Sequence, residues 1–150
     1  MWESMDEGPS QPALGQAKTR MPVSAQPLIA VVDDDQSLRT ALVRLVRSLG
    51  YDVRAFASAE ELLQPGAVSE FACIVTDIHM PGMSGIDLFR HLSHLRCPVP
   101  VILITARTEP GLEATAAAIG AVCFLRKPFA ASALSECLRK ALAGEKGCSG

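Results

Sequence analysis

The sequence predicts an α/β domain in which a parallel sheet of five strands is covered by helices on both faces. Between Leu28 and Gly144, short apolar runs rich in β-branched residues alternate five times with segments of helical periodicity. Strands that alternate with helices in this way are joined by right-handed crossovers and pair in parallel. The composition agrees, because 49% of the 150 residues are hydrophobic but only 5% are aromatic, which favours a core of Ala, Val, Leu and Ile.

The first two units each begin with a short apolar or alternating run. LIAVV (28–32) predicts a buried strand, and QSLRTALVRLVRSLG (36–50) predicts a helix, since its apolar residues from Leu38 onward recur at helical spacing and a glycine ends it. YDVRAFA (51–57) alternates weakly and predicts the second strand. SAEELLQPG (58–66) predicts a helix that opens with a capping-box pattern, S-x-x-E, and closes at Pro-Gly.

The third unit carries the most unusual connection. FACIVT (71–76) predicts the third strand, and SGIDLFRHLSHL (84–95) predicts the third helix, with apolar residues on one face. Between them, DIHMPGMSG (77–85) is rich in turn-forming residues and predicts a loop.

The last two units follow the same pattern. VPVILIT (99–105) is almost continuously apolar and predicts the fourth strand. EPGLEATAAAIG (109–120) predicts the fourth helix, with Pro110 in its first turn. AVCFL (121–125) predicts the fifth strand, and ASALSECLRKALAG (131–144) predicts the final helix.

The natural arrangement of five such units is the flavodoxin-like sheet with strand order 2-1-3-4-5. Groups that bind ligands in such sheets gather beyond the carboxyl ends of the strands. The chain places acids, a hydroxyl and an ammonium group at these ends: Asp33, Asp34, Asp35, Asp77, Thr105 and Lys127.

Carboxylates that share a cleft repel one another unless a cation neutralises them. Oxygen ligands without neighbouring His or Cys ligands favour a hard cation, and Mg²⁺ before Ca²⁺ or Zn²⁺. A lysine and a threonine hydroxyl are suitable donors to a phosphoryl group, and an aspartate can act as a nucleophile. The strand-end residues therefore predict an Mg²⁺-dependent phosphoryl site.

From Leu28 to about Ala143 the chain resembles the receiver domains of two-component response regulators, and FixJ-like receivers in particular. Four motifs carry this resemblance in the family's order: VVDDD, VTDIHMPGMSG, LIT and LRKPF. Any one of them alone would be weak, but the ordered set is specific.

The resemblance implies a role for each matching residue. Asp77 would be the phosphoacceptor, Asp34 a direct Mg²⁺ ligand and Asp33 a ligand acting mainly through metal-bound water. The backbone carbonyl of His79 would complete the protein ligands, and Lys127 would contact the phosphoryl oxygens. Thr105 and Phe124 would be the switch residues, and the Lys127–Pro128 peptide would be cis.

The resemblance also implies a regulatory pair. His79 and Arg107 lie two residues after Asp77 and Thr105, at positions that tune the lifetime of the acyl phosphate in the family. Asp35 is not needed as a third ligand, and we expect it to be the N-cap of the first helix.

The expected domain occupies residues 27–144, with a disordered tail at 1–26 and a short tail at 145–150. Since no output domain follows, a stand-alone receiver in the cytoplasm is expected, without direct contact with nucleic acid or a membrane. The odd number of cysteines and the absence of C-x-x-C spacing favour free thiols in a reducing compartment. These cysteines are Cys73, Cys97, Cys123, Cys137 and Cys148.

The partners implied are a sensor histidine kinase or phosphotransfer protein, and a downstream protein or a second copy bound through the fourth helix, fifth strand and fifth helix. The domain would not be an enzyme beyond promoting its own phosphorylation and dephosphorylation. Two alternatives remain open. One is the receiver half of a DNA-binding transcriptional regulator. The other is an aspartate-dependent phosphatase, since Asp33 and Asp35 follow the first strand at suitable spacing.

Overall fold

The computed structural model describes residues 26–64, 68–95 and 99–143. Five parallel strands pair in the order β2-β1-β3-β4-β5, as predicted. They are β1 (Leu28–Val32), β2 (Asp52–Phe56), β3 (Cys73–Asp77), β4 (Val101–Thr105) and β5 (Cys123–Arg126). The predicted tails lie outside the described residues, apart from Gln26. Among the described residues, no helix is both long and apolar enough to cross a membrane.

In the described part of the chain, four α-helices connect the strands, a fifth follows β5, and a short 3₁₀ helix at Val68–Glu70 precedes β3. The helices are α1 (Gln36–Ser48), α2 (Ala59–Leu62), α3 (Gly85–His94), α4 (Leu112–Ile119) and α5 (Ala131–Leu142). Each strand and each α-helix agrees with a predicted one, with ends that differ by a few residues, whereas the 3₁₀ helix was not predicted. At α4, Pro110 lies before the helix rather than in its first turn, because Gly111 is the N-cap and has a φ of 87°.

The hydrophobic core has two layers, one on each face of the sheet. Alternate residues of β1 belong to opposite layers. Ile29 and Val31 pack with α1 and α5, whereas Ala30 and Val32 pack with α2, α3 and α4. This is the period-2 alternation of a strand that is buried on both faces. The central strands β3 and β4 are buried along their whole length, so they form a rigid base for the residues at their carboxyl ends.

Three helix starts near the site are fixed by side chains. Asp35 caps α1 as predicted, and its carboxylate accepts from the N–H groups of Ser37 and Leu38 at 2.9 and 3.1 Å. Ser58 caps α2, but Glu61 accepts from the Ala57 N–H instead of closing a capping box. A complete capping box, which the sequence analysis missed, joins Ser84 and Asp87 at α3.

The apolar face of α1 is less buried than its periodicity suggests. Leu42 and Val46 are buried, but Leu38 is 39% exposed and Ala41 is exposed. Both line an apolar groove, closed on the other side by Pro128 and Phe129. The first apolar turn of α1 therefore faces the β5–α5 loop across this groove.

The expectation that the cysteines are all free thiols is wrong. Cys123 on β5 and Cys137 on α5 form a disulfide, with their Cα atoms 5.9 Å apart. Both side chains belong to the layer between the sheet and α5, which brings together residues that are 14 positions apart. Cys73 is a buried free thiol, and burial raises its pKa to about 12, so it is inert as a nucleophile.

Candidate functional site

The first part of the site is Asp33, which follows β1 and is completely buried. Its backbone continues the sheet, since its N–H donates to the Phe56 carbonyl at 3.2 Å. Its carboxylate accepts from the Asp35 N–H at 3.0 Å and from Lys127 Nζ at 3.2 Å. Arg39 Nη1 donates to the Asp33 carbonyl at 2.8 Å. Both oxygens of this buried carboxylate therefore have a partner, as burial of a charge requires.

The second part is Asp77, the last residue of β3. It is 9% exposed, and its Oδ1 accepts from the His79 N–H at 3.3 Å. The loop beyond it folds back tightly, because the Gly85 N–H donates to the Ile78 carbonyl at 2.9 Å. A Cβ at Gly85 would meet the backbone of Asp77, so only glycine allows α3 to start this close to the acid.

Lys127 joins the two acids. Its ammonium lies 3.2 Å from Asp33 Oδ2 and 3.5 Å from Asp77 Oδ2, and only 13% of its side chain is exposed. It follows β5, and its backbone N–H donates to the Thr105 carbonyl at 2.8 Å, which ties the lysine to the end of β4. The Lys127–Pro128 peptide is cis, as the resemblance implied.

The donor set fits a hard divalent cation. Asp33, Asp34 and Asp77 each place a carboxylate oxygen within 4.8 Å of the other two. Asp34 is the exposed member of the three. Lys127 contacts two of these three carboxylates, and a hard divalent cation such as Mg²⁺ would neutralise the remaining negative charge of the cluster.

Thr105 completes the predicted site at the end of β4. It is completely buried, and its Oγ1 accepts from the Arg107 N–H at 3.0 Å. Phe124 lies on β5, partly exposed, and packs against the layer that contains α4. Its backbone partner in the register is Leu103, two residues before Thr105.

The two residues predicted to tune the lifetime of the acyl phosphate lie beside the acids. His79 and Arg107 line one cleft of about 450 Å³ together with Asp34. Glu109 lies between them, 3.9 Å from His79 Nε2 and 3.3 Å from Arg107 Nη1. The two side chains therefore reach a common acid at the entrance of the cleft.

Sequence reasoning missed residues that support the site from outside it. The Arg39 side chain donates to the backbone carbonyl of Asp33. Gly85 leaves the space that the backbone of Asp77 occupies. Glu60 of α2 accepts from the Met83 N–H at 3.1 Å and so ties the loop after Asp77 to a distant helix. The glycines of the loop could have signalled a close backbone approach, since glycine has no side chain to obstruct it, but no residue pattern marks Arg39 or Glu60.

The pKa of the Asp77 carboxyl is raised above its ordinary value. Burial is the main cause; Lys127 lowers the pKa, Asp33 raises it again by repulsion, and the His79 N–H lowers it. Ionisation of Asp77 is therefore less favourable in the folded chain than in the unfolded chain, when no metal is bound.

This shift predicts a pH-dependent effect of Asp77→Asn on stability in the presence of EDTA. The pKa of Asp77 is higher in the folded chain than in the unfolded chain. Neutral Asp77 therefore makes its full contribution to stability below the pKa of the unfolded chain, which is about 3.9. That contribution is lost as the pH rises through the pKa of the folded chain. We expect Asp77→Asn to be the more stable protein in urea unfolding at neutral pH. The difference should shrink as the pH falls toward about 4. A constant difference at every pH would contradict the assignment.

The sheet and its acidic edge define a class of protein, the phosphoacceptor switches of two-component signalling. The family profile described as response regulator receiver domain matches residues 29–139, and the chain belongs to this family. Nodulation protein W of Bradyrhizobium diazoefficiens is 41% identical over 106 residues, which cover 71% of this chain and 47% of that protein. Transcriptional regulatory protein FixJ of the same organism is 34% identical, over 76% of this chain and 56% of FixJ. The chain thus spans about half the length of these relatives.

Solved structures give the same result. The response regulator StyR superposes with a TM-score of 0.72 and 38% identity, covering 79% of this chain and 60% of StyR. The structure named FixJ-N superposes with a TM-score of 0.68 and 31% identity, covering 79% of this chain and 95% of that one. These similarities establish the receiver fold and its role as a switch.

Proposed function

We propose that this domain accepts a phosphoryl group on Asp77 from the phosphohistidine of a sensor histidine kinase or a phosphotransfer protein. The observation that carries the proposal is the meeting of Asp77 with Asp33, Asp34 and Lys127 within one small volume. In this proposal the domain occupies residues 27–144 and works in the cytoplasm. It binds neither nucleic acid nor membrane directly, and it catalyses only its own phosphorylation and dephosphorylation.

Asp77 is a better nucleophile than Asp33, the residue that an aspartate-dependent phosphatase would use. Asp33 is fully buried and both of its oxygens accept hydrogen bonds. Asp77 is slightly exposed beside the open cleft, and its bonds to His79 and Lys127 are longer, at 3.3 and 3.5 Å. The geometry thus favours attack by Asp77 and a supporting role for Asp33.

Asp34, Asp33, Asp77 and the backbone carbonyl of His79 would hold Mg²⁺, which when bound neutralises the carboxylates and the charge of the phosphoryl group. Lys127 already bridges the two buried acids, so its ammonium can donate to a phosphoryl oxygen on Asp77 without a change of position. Thr105 offers its hydroxyl from the neighbouring strand end. These fixed charges would stabilise the transferring phosphoryl group.

Phosphorylation would bias an equilibrium between two conformations. In the proposed switch, Thr105 moves toward the phosphoryl group and Phe124 follows into the space that it leaves. Both act on the surface formed by α4, β5 and α5, which would bind a downstream protein or a second copy of the chain. His79 and Arg107, at the rim of the cleft, would set how fast water reaches the acyl phosphate.

A second candidate is that the domain is the receiver part of a transcriptional regulator. FixJ, one of the similar proteins, carries the name of a transcriptional regulatory protein, and the chain covers 56% of its length. The full reading frame of the gene decides between them.

The receiver and phosphatase proposals differ in whether phosphorylated protein accumulates. With Mg²⁺ and a small phosphodonor such as acetyl phosphate, we expect a stable covalent phosphoryl group on the protein, followed by slow hydrolysis. EDTA should prevent its formation. Rapid turnover of unrelated phosphate esters, without accumulation of phosphoprotein, would support the phosphatase and contradict the receiver proposal.

A further inference from the structure

Arg126, the last residue of β5, makes two contacts that the proposed mechanism does not use. Its Nη1 donates to the backbone carbonyl of Arg107 at 3.1 Å. Its guanidinium also lies over the ring of Phe124, 5.4 Å from the ring centroid. One exposed side chain on the edge strand therefore contacts both the loop after β4 and the proposed switch aromatic.

The loop contact involves the residue that also binds Thr105. The Arg107 N–H donates to Thr105 Oγ1 at 3.0 Å, and the Arg107 carbonyl accepts from Arg126. The backbone of Arg107 is thus held on both sides, by the proposed switch hydroxyl and by the edge strand. If Thr105 Oγ1 moves toward Asp77, it must either release the Arg107 N–H or pull Arg107 away from Arg126.

We propose that Arg126 is a positioning residue that holds the Arg107 loop and Phe124 in the unphosphorylated arrangement, and so restrains the switch. This inference rests on the proposed function. The guanidinium loses a hydrogen bond when the loop moves and a cation–π contact when the ring moves, so it opposes both movements. Replacing Arg126 should therefore favour the phosphorylated conformation.

A purely electrostatic role of Arg126 predicts the opposite result. Arg126 is adjacent to Lys127 in the chain, and loss of its positive charge would weaken the attraction of an anionic phosphodonor to the site. Electrostatics alone would slow phosphorylation of Arg126→Met, whereas release of the restraint would accelerate it. General destabilisation of the fold would not accelerate it either.

The chain offers a matched control on its other edge strand. Arg54 of β2 lies over the Phe71 ring at 5.5 Å and pairs with Glu70 at 3.5 Å, away from the proposed site. Arg54→Met removes the same kind of side chain and the same kind of aromatic contact. Arg126→Lys keeps the charge and a donor but loses the planar group that lies over Phe124.

The first measurement is amide hydrogen exchange of the unphosphorylated protein, resolved by NMR at Arg107. We expect exchange of the Arg107 amide to rise about three- to tenfold in Arg126→Met, to rise less in Arg126→Lys and to stay unchanged in Arg54→Met. Unchanged exchange at Arg107 in Arg126→Met would overturn the inference, as would an equal increase at every amide of the domain.

The second measurement is the rate of phosphorylation by acetyl phosphate with Mg²⁺. We expect Arg126→Met to react about three- to tenfold faster than wild type, with Arg54→Met equal to wild type. A rate equal to or below that of wild type would overturn the inference while leaving the proposed function in place. Failure of wild type itself to take up a phosphoryl group would overturn both.

Discussion

Lys127→Met is expected to lower the free energy of unfolding by about 3 kcal/mol when no metal is present, because it leaves two buried carboxylates without their cation. Asp33 has no exposed surface and the side chain of Asp77 is 12% exposed, so water cannot replace the lysine well. Methionine has a similar length, and the loss is therefore one of charge rather than of volume. Urea unfolding in EDTA measures the effect.

The same variant should accept a phosphoryl group at least about tenfold more slowly, since a fixed positive charge at the transferring group is lost. Mg²⁺ should recover part of the lost stability, because it would neutralise the same carboxylates. Lys140→Met, at an exposed position of α5, is the matched control and should behave as wild type. Equal stability of Lys127→Met and Lys140→Met would contradict the role given to Lys127.

Asp34→Asn is expected to have the reverse profile, with little effect on folding and a large effect on metal binding. Asp34 is exposed, so its carboxylate contributes little to the stability of the metal-free fold. Because Asp34 is a proposed direct ligand, its replacement by asparagine should lower the affinity for Mg²⁺ at least about tenfold. Titration of Mg²⁺ by calorimetry measures the affinity, and unfolding in EDTA measures the stability.

Asp35→Asn is the control for that experiment. It removes the same charge from the next residue, and asparagine keeps the N-cap bonds to Ser37 and Leu38. We expect it to keep most of the wild-type affinity for Mg²⁺. If the two variants weaken binding equally, Asp34 acts only through its charge and is not a ligand.

The strand-end rule explains why so much of the site could be predicted from sequence. Asp33, Asp77, Thr105 and Lys127 lie at the carboxyl ends of four different strands, and strands β1, β3, β4 and β5 are adjacent in the sheet. Once the alternation of strands and helices is recognised, the order of the sheet brings these residues together. The helical periodicity likewise predicted the apolar face of α1 that buries Leu42 and Val46, although Leu38 and Ala41 on that face are exposed.

The contacts that depend on exact three-dimensional positions could not be predicted. The Cys123–Cys137 disulfide depends on which strand residue faces which turn of α5, and the count of cysteines carries no such information. The bond from Arg126 to the Arg107 carbonyl joins a side chain to a backbone atom of another unit, and any residue could supply that carbonyl. Such contacts leave no residue pattern in the chain.

Asp77 is the proposed carrier of the phosphoryl group, and its role can be checked by mapping that group on the protein. The protein is incubated with acetyl phosphate and Mg²⁺, and its mass and its peptides are analysed beside those of Asp77→Asn. We expect a single added phosphoryl group, located on Asp77 in wild type and absent from Asp77→Asn. A phosphoryl group located on Asp33, or one retained by Asp77→Asn, would rule out Asp77 as the phosphoacceptor.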